Sequence, residues 1–411
     1  MGPIIRGVKL ENQEKGDKLF YQARTIKLKI GSTSYTTPMR FINHQEMNSK
    51  INLPADVPII NACGIFEKII DPNSFLKIKK SNGYNQHIIK TLEFWSEPFS
   101  YFPLKAVCFR PSDKLQQKIN NLSKALNFLR EIFEFLRWSN HNFNLLIIPF
   151  FLNLPPKEAE EYIKWLSKNE EKIIEKTKVE SIVFTLDPAY KNVTGLEKML
   201  INILETLQTK NDRIIGIIHR KVPTYLASFK MFWNNLYKKD ICVWNISVDR
   251  SLQYLYNLSG PHYDSFVTGD VFSLRPIRVF DPIIKPISVT TKFFLKDKLT
   301  IEKFANIIQE KGEEKAFELI YNEFTEMVKN CRHIRYIKNT IENWRMIETE
   351  PDLVEEKKRI FSSLSRMHEI LSSTKEFQKL SRYIKNSEVN EYIKAKSFLK
   401  KALEKVSFKE L

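Results

Sequence analysis

Continuous apolar runs alternate with amphipathic ones through the middle of the chain. "FNLLIIPFFLN" (143–153) is a buried-strand run, and "PPKEAEEYIKWLSKNEEKII" behind it spaces its apolar residues three and four apart, with Pro and Glu in the first turn of the helix this predicts. "VESIVFTLDP" is the next strand and "GLEKMLINILETLQTK" the next helix, then "DRIIGIIHRK" with "YLASFKMFWNNLYKK", then "DICVWNISVD" with "SLQYLYNL", then "YDSFVTGDVFSL". Strands that are apolar throughout, rather than at every second residue, belong to a parallel sheet covered on its faces by helices. Ahead of this rhythm, "QARTIKLKIGSTSYTTPMRFI" (22–42) alternates around Gly31 and predicts short strands and turns. About 114 to 139 reads as one long amphipathic helix. Beyond about 300 the rhythm stops, and "TIEKFANIIQEKGEEKAFELIYNEFTEMVKNCRHIRYIKNTIENWRMIE", "LVEEKKRIFSSLSRMHEILSS" and "NEYIKAKSFLKKALEKV" read as helices.

Five β–α units in succession favour a closed arrangement over an open sheet. The expected fold is therefore α/β: a (β/α)8 TIM-type barrel over residues 1–300, preceded by a β-hairpin region, with a basic helical appendage over 301–411. No glycine-rich turn follows any strand, which disfavours a dinucleotide-binding site of the Rossmann type. In such barrels the reacting groups stand at the C-terminal ends of strands. Asp187, His219 and Asp249 end three of the apolar runs. Each also has a plain structural reading, since Asp187 begins a turn with Pro188 and polar residues end strands wherever they meet solvent.

Composition narrows the partners. Among 411 residues, 65 Lys and Arg against 48 Asp and Glu leave a formal charge of +17. An excess of that size suits a polyanion, whose phosphates release counterions when neutralised; a lysine-rich composition with few glycines accounts for it equally simply. Cys63, Cys108, Cys242 and Cys331 stand far apart, with none of the local spacing of a zinc knuckle. No apolar run approaches the ~20 residues that cross a bilayer, and the first twenty residues lack a signal-peptide core. The expectation is a cytoplasmic protein with no membrane partner.

Several segments, in order, resemble the tRNA-guanine transglycosylases, the archaeal branch most. "IKLKIGSTSYTTPMRFINHQ" is similar to their opening hairpin, "VPIINACGIFEK" to the strand after it, and "SIVFTLDPAY" to the strand whose aspartate reads the exchanged base. "RIIGIIHRKVPTYLASFKMFWNNLYKKDICVWNIS" has the shape of the next unit. "LYNLSGPHYDSFVTGDVFS" resembles the segment carrying the nucleophile, and "EFTEMVKNCRHIRYIKNTIENWRMIETEPDLVEEKKRIF" the closing helices. Together they span most of residues 25–370.

The resemblance implies base exchange on tRNA or DNA, with guanine replaced by a 7-deazaguanine-type base through a covalent intermediate. Asp264 takes the place of the nucleophile. Asp187 takes that of the carboxylate accepting from the N1 and N2 edge of the base, with Phe184 or Tyr190 stacking on it. His219 and Arg220 stand where the family has its "VQG" loop, so they are carried as base contacts. The family's "TDSGxFQ" motif has no counterpart, and Glu97 in "EFWSEPFSYF" is the nearest substitute for its acid. Arg275 and Arg278 are assigned to the nucleic-acid backbone, while Asp270 falls to the exit loop. The family's "CxCxxC" zinc segment is replaced by the cysteine-free "DPIIKPISVTTKFFLKDKLT", so no cofactor and no metal is expected. Two alternatives stay open: a nucleic-acid-binding subunit without catalysis, or a barrel of unrelated chemistry. A homo- or hetero-oligomer is compatible with either.

Overall fold

Four of the apolar runs hold strands, each shorter than its run. The computed structural model describes residues 6–16, 22–43, 62–80, 89–90, 102, 104–186, 213–219, 240–247, 270–273, 292–327, 334–343 and 351–407. Three antiparallel strands come first, β1 (Arg6–Lys15), β2 (Gln22–Ile30) and β3 (Thr33–Thr36), in the order β1-β2-β3. The turn between β2 and β3 passes through Gly31 at φ +58°, where a Cβ would lie 2.7 Å from the Glu180 carboxylate. Glycine is required there for both reasons.

The parallel strands follow: β4 (Met39–Asn43), β5 (Ala62–Ile70), β6 (Leu104–Pro111), β7 (Leu145–Ile148), β8 (Ser181–Leu186), β9 (Arg213–His219), β10 (Ile241–Ser247) and β11 (Val271–Ser273). Pairing runs from β4 through β5, β6, β7, β8 and β9 to β10 as one curved seven-stranded parallel sheet. The three-residue β11 is the narrow link between its edges, pairing Val271 and Phe272 with Trp244 and Asn245 on one side and Val271 to Ser273 with Met39 to Phe41 on the other. The helices described around it are α1 (Pro72–Lys80), α2 (Asp113–Lys118), α3 (Leu122–Trp138) and α4 (Pro156–Thr177).

The helix expected over about 114–139 is two. Ser112 caps α2 by accepting from the Leu115 N–H, and Asn121 caps α3 by accepting from the Lys124 N–H. The "INN" step between them breaks the helix because asparagine satisfies free backbone donors better outside a helix than within one.

Strand alternation sorts the side chains into two layers. Phe66, Ile70, Val107, Phe109, Leu146, Ile148, Ile182, Phe184, Leu186, Ile215 and Val243 face outward into the layer shared with Phe128, Leu129 and Ile132 of α3 and Tyr162 and Ile163 of α4. Met39, Phe41, Cys63, Ile65, Ala106, Cys108, Ile147, Val183, Ile214, Cys242 and Trp244 face inward. Phe41 and Trp244 meet edge to face at 5.1 Å within this inner cluster.

The C-terminal region begins before residue 301. A hairpin, β12 (Lys292–Leu295) and β13 (Thr300–Lys303), sends Phe293 and Leu295 into one apolar cluster with Phe304, Ile307, Ile320 and Phe324. "TIEK" is thus a strand, and the helices begin after it as α5 (Phe304–Lys311), α6 (Glu313–Met327), α7 (Ile334–Glu342), α8 (Pro351–Lys385), α9 (Val389–Lys394) and α10 (Ser397–Ser407). The hydrophobic boundary therefore precedes the hairpin instead of cutting it at 300. This region is no detached appendage: Ile370 of α8 joins the outer layer of the sheet, and Ser381 donates to the Thr37 carbonyl at 3.0 Å.

At the junction of α3 and β7, His141 has a fixed role. Its Nε2 lies 2.9 Å from the Thr177 carbonyl, and its Nδ1 accepts from the Phe143 N–H at 3.3 Å. A proton on Nδ1 would face that N–H, and burial already pushes the imidazole down to about 4. The folded value lies below the unfolded one, so the contribution is complete above about pH 6.5 and is lost as the pH falls from there toward 4. His141→Gln is expected to flatten the dependence of the urea midpoint on pH across that window, by on the order of 2 kcal/mol.

Candidate functional site

The two ends of the parallel strands differ in kind. At the N-terminal end, Val8, Ile26, Leu28, Ile30 and Tyr35 of the antiparallel sheet pack directly on Met39, Cys63, Leu104, Leu145, Ile214 and Cys242, all at or near the first residues of their strands. That end is sealed by apolar contact. On the same face of β2 as Ile26 and Leu28, Arg24 reaches Asp270 with both side chains 0% exposed. Its Nε donates to Oδ1 at 2.9 Å and its Nη2 to Oδ2 at 2.7 Å, and Nη2 also reaches the Ile241 carbonyl at 2.7 Å. Asp270 Oδ2 accepts from the Val243 N–H at 2.8 Å as well. Asp270 is thus a structural residue at the foot of β11, and its expected place in an exit loop is corrected.

Toward the C-terminal ends the inward face becomes polar. On β5 it runs Cys63, Ile65, Glu67, and on β6 Ala106, Cys108, Arg110. Arg110 Nε donates to Glu67 Oε1 at 2.9 Å, with the two side chains 11% and 12% exposed. Ile69, one inward step further along β5, is 44% exposed, so this end of the strands reaches solvent. On β8, Thr185 donates its hydroxyl to the Ile148 carbonyl. The candidate site is this C-terminal mouth, with Glu67 and Arg110 as its described polar groups.

The inward thiols offer no nucleophile. Burial pushes Cys63, Cys108 and Cys242 upward, with the Glu67 carboxylate adding to the shift at Cys108 and Asp270 at Cys242. They behave as small apolar residues. Among the described residues, no group of three or more His, Cys, Asp or Glu is placed to hold a metal ion, and no helix is long and apolar enough to cross a membrane.

A second polar cluster lies between α6, α8 and the β12–β13 hairpin. His368 Nε2 stands 3.3 Å from Glu323 Oε2 and 3.2 Å from the Ser372 hydroxyl, with the ring stacked on Phe293 at 4.3 Å. Glu323 also binds Lys296 at 2.5 Å, and the His368 hydrogen bond followed by Lys296 holds its carboxyl down to about 2. Serine and acid converge on the same ring nitrogen. A hydrolytic relay needs them on opposite nitrogens, so this cluster is not one.

Of the residues singled out in the sequence, Phe184 is described in full. It is a core residue on the outward face of β8, among Leu146, Ile148 and the helices. Its assignment to stacking on a base at the mouth is therefore withdrawn, because alternation turns it to the opposite side of the sheet. The backbone of His219 pairs with Ser247 at the C-terminal end of β9. Asp187, the residue after the last one of β8, lies outside the described residues, as do Glu97, Tyr190, Arg220, Asp249, Asp264, Arg275 and Arg278. Glu67 and Arg110 were not singled out. Their signal was present in "ACGIFEKII" and "LKAVCFRP", where they share the parity of the inward residues, but it becomes legible only once the inward face is known.

No protein-family model matches the chain, and no curated protein matches it.

Proposed function

We propose that this chain is a transglycosylase-like barrel of the (β/α)8 type that engages a nucleic acid at the C-terminal mouth of its strands. The observation that carries the reading is the contrast between the two strand ends: an apolar seal below, and above it an inward layer that turns polar and meets solvent. The formal charge of +17 and the ordered resemblances to the transglycosylases supply the nucleic acid.

In the catalytic version, the Asp264 carboxylate attacks C1′ of a guanosine and the C1′–N9 bond breaks. Guanine leaves with a proton from an acid such as Glu97, Asp187 recognising its N1 and N2 edge. A 7-deazaguanine then returns its N9 proton to that acid's carboxylate, bonds to C1′ through N9 and releases Asp264 as the carboxylate. The version without exchange, in which the chain binds nucleic acid for a catalytic partner, is favoured by one observation. The strand expected to present the nucleophile is Val271–Ser273, it begins beside the structurally committed Asp270, and it ends on a serine.

The experiment is exchange of labelled guanine in tRNA and in DNA by the full chain. In the catalytic version exchange occurs, a denaturant-stable adduct forms, and Asp264→Asn lowers exchange at least ~10³-fold and removes the adduct. Salt-sensitive nucleic-acid binding with no exchange selects the binding version. The absence of both exchange and binding overturns the proposal.

A further inference from the structure

Three arginines with described side chains, Arg24 on β2, Arg40 on β4 and Arg110 on β6, are used in two ways. Arg24 spends Nε and Nη2 on Asp270 and the Ile241 carbonyl. Arg40, on the outward face of β4, commits Nη1 and Nη2 to Glu369 and Ser373 of α8. Arg40 thus gives both terminal nitrogens to the fold, and Arg24 gives Nε and one of them. Arg110 is different. Its contact with the protein is through Nε, to Glu67, and its two terminal nitrogens have no partner among the described residues.

Arg110 is also not a loose surface side chain. It is 11% exposed, it projects from the inward face of β6 at the last inward position of the strand, and it stands directly above the apolar filling of Cys108, Ala106 and Ile147. A guanidinium has five N–H donors, and Nε–H is one. Four donors therefore remain, held in a fixed plane by the Glu67 contact at the rim of an otherwise apolar interior. Guanidinium is permanently charged, so it cannot ease that situation by losing a proton. A group that accepts two parallel hydrogen bonds and carries negative charge completes it.

We propose that Arg110 is an oxyanion-binding residue at the C-terminal mouth, positioned by Glu67 to take the phosphate of a nucleotide through its terminal nitrogens. Naming a nucleotide phosphate as the anion rests on the nucleic-acid reading above; the oxyanion chemistry rests on the geometry alone. Glu67 holds Nε and offsets part of the charge, so it orients the arginine while the terminal N–H donors stay available to an anion. One phosphate chemistry has two sources here, a phosphodiester within a strand or the monophosphate of a free nucleotide.

The test measures affinity of the full-length protein for four probes: inorganic phosphate, guanosine, guanosine 5′-monophosphate and a short single-stranded RNA. Wild-type protein binds the phosphorylated probes more tightly than guanosine. Arg110→Met weakens the phosphorylated probes by about 10- to 100-fold and leaves guanosine unchanged. Arg110→Lys keeps the charge, loses the planar fork and falls between. Should Arg110→Met not fold, Arg110→Lys carries the same comparison. Loss confined to the RNA assigns the site to a strand phosphodiester, and loss confined to the mononucleotide assigns it to a free phosphate. Equal binding of every probe by wild type and a folded variant, or no phosphate-dependent affinity in wild type, overturns the proposal. Guanine exchange without a phosphate effect removes this site and keeps the transglycosylase reading; a phosphate effect without exchange does the reverse.

Discussion

Asp270→Asn is expected to lower the unfolding free energy by about 3–5 kcal/mol, read as a shift in the urea midpoint with unchanged slope. The carboxylate receives three hydrogen bonds, from Arg24 Nε on Oδ1 and from Arg24 Nη2 and the Val243 N–H on Oδ2. Asparagine has one acceptor oxygen, so in either orientation its amide NH2 faces a donor that Asp270 had satisfied. Arg24 would meanwhile stay buried without the Asp270 carboxylate. The same residue links the two edges of the curved sheet, since its N–H donates to the Val243 carbonyl at 2.9 Å and its carbonyl accepts from the Met39 N–H at 3.0 Å. Among the described residues β11 supplies three residues of ladder there, so loosening Asp270 loosens that link. The double variant Arg24→Met with Asp270→Leu is expected to recover part of the loss, because replacing both charges removes the orphaned one. A loss in the single variant below about 1 kcal/mol would show that the pair contributes little.

Glu369→Ala should be of similar size, about 3–4 kcal/mol, for a related reason. Arg40 is fully buried on the outward face of β4, and Glu369 accepts its two terminal nitrogens as a fork, Nη2 to Oε2 at 2.6 Å, while Ser373 accepts from Nη1 at 2.6 Å. Truncating the glutamate takes the carboxylate fork away from a permanent charge buried under α8. Ser373→Ala removes a single neutral acceptor and should cost about 1 kcal/mol. The ratio between the two variants, measured by urea unfolding, separates charge compensation from simple packing. A Glu369→Ala loss no larger than that of Ser373→Ala would place the weight on packing of α8. Because α8 is the helix covering β4, the larger loss also predicts earlier hydrogen exchange at β4 than at β7.

Strands β7 to β10 were legible because each is an apolar run bounded by turn or helix signals, but runs apolar on both faces leave their register open. Helix α4 was legible from its periodicity and its proline at the first turn. β6 was not, since "LKAVCFRP" mixes one lysine and one arginine into a short apolar stretch that suits strand or helix equally. The break between α2 and α3 hung on whether Ser112 and Asn121 cap helices or merely ride on one, and a period alone does not distinguish these. Asp270 was misplaced for a deeper reason. Its partner Arg24 is 246 residues away, and nothing local marks an aspartate as the receiver of a buried arginine.

The same limit governs the site. Sequence alone determined the α/β rhythm, the basic surplus and the kinds of residue that end each strand, because these follow from local periodicity and composition. Tertiary structure decided which face of each strand looks inward. That choice sends Phe184 to the helices, brings Glu67 and Arg110 together across 43 residues, and binds Arg40 to Glu369 across 329. Side chains on a strand alternate by a fixed rule, but the side that becomes the interior is set by what packs against the sheet: here an antiparallel sheet below, and α3, α4 and α8 outside.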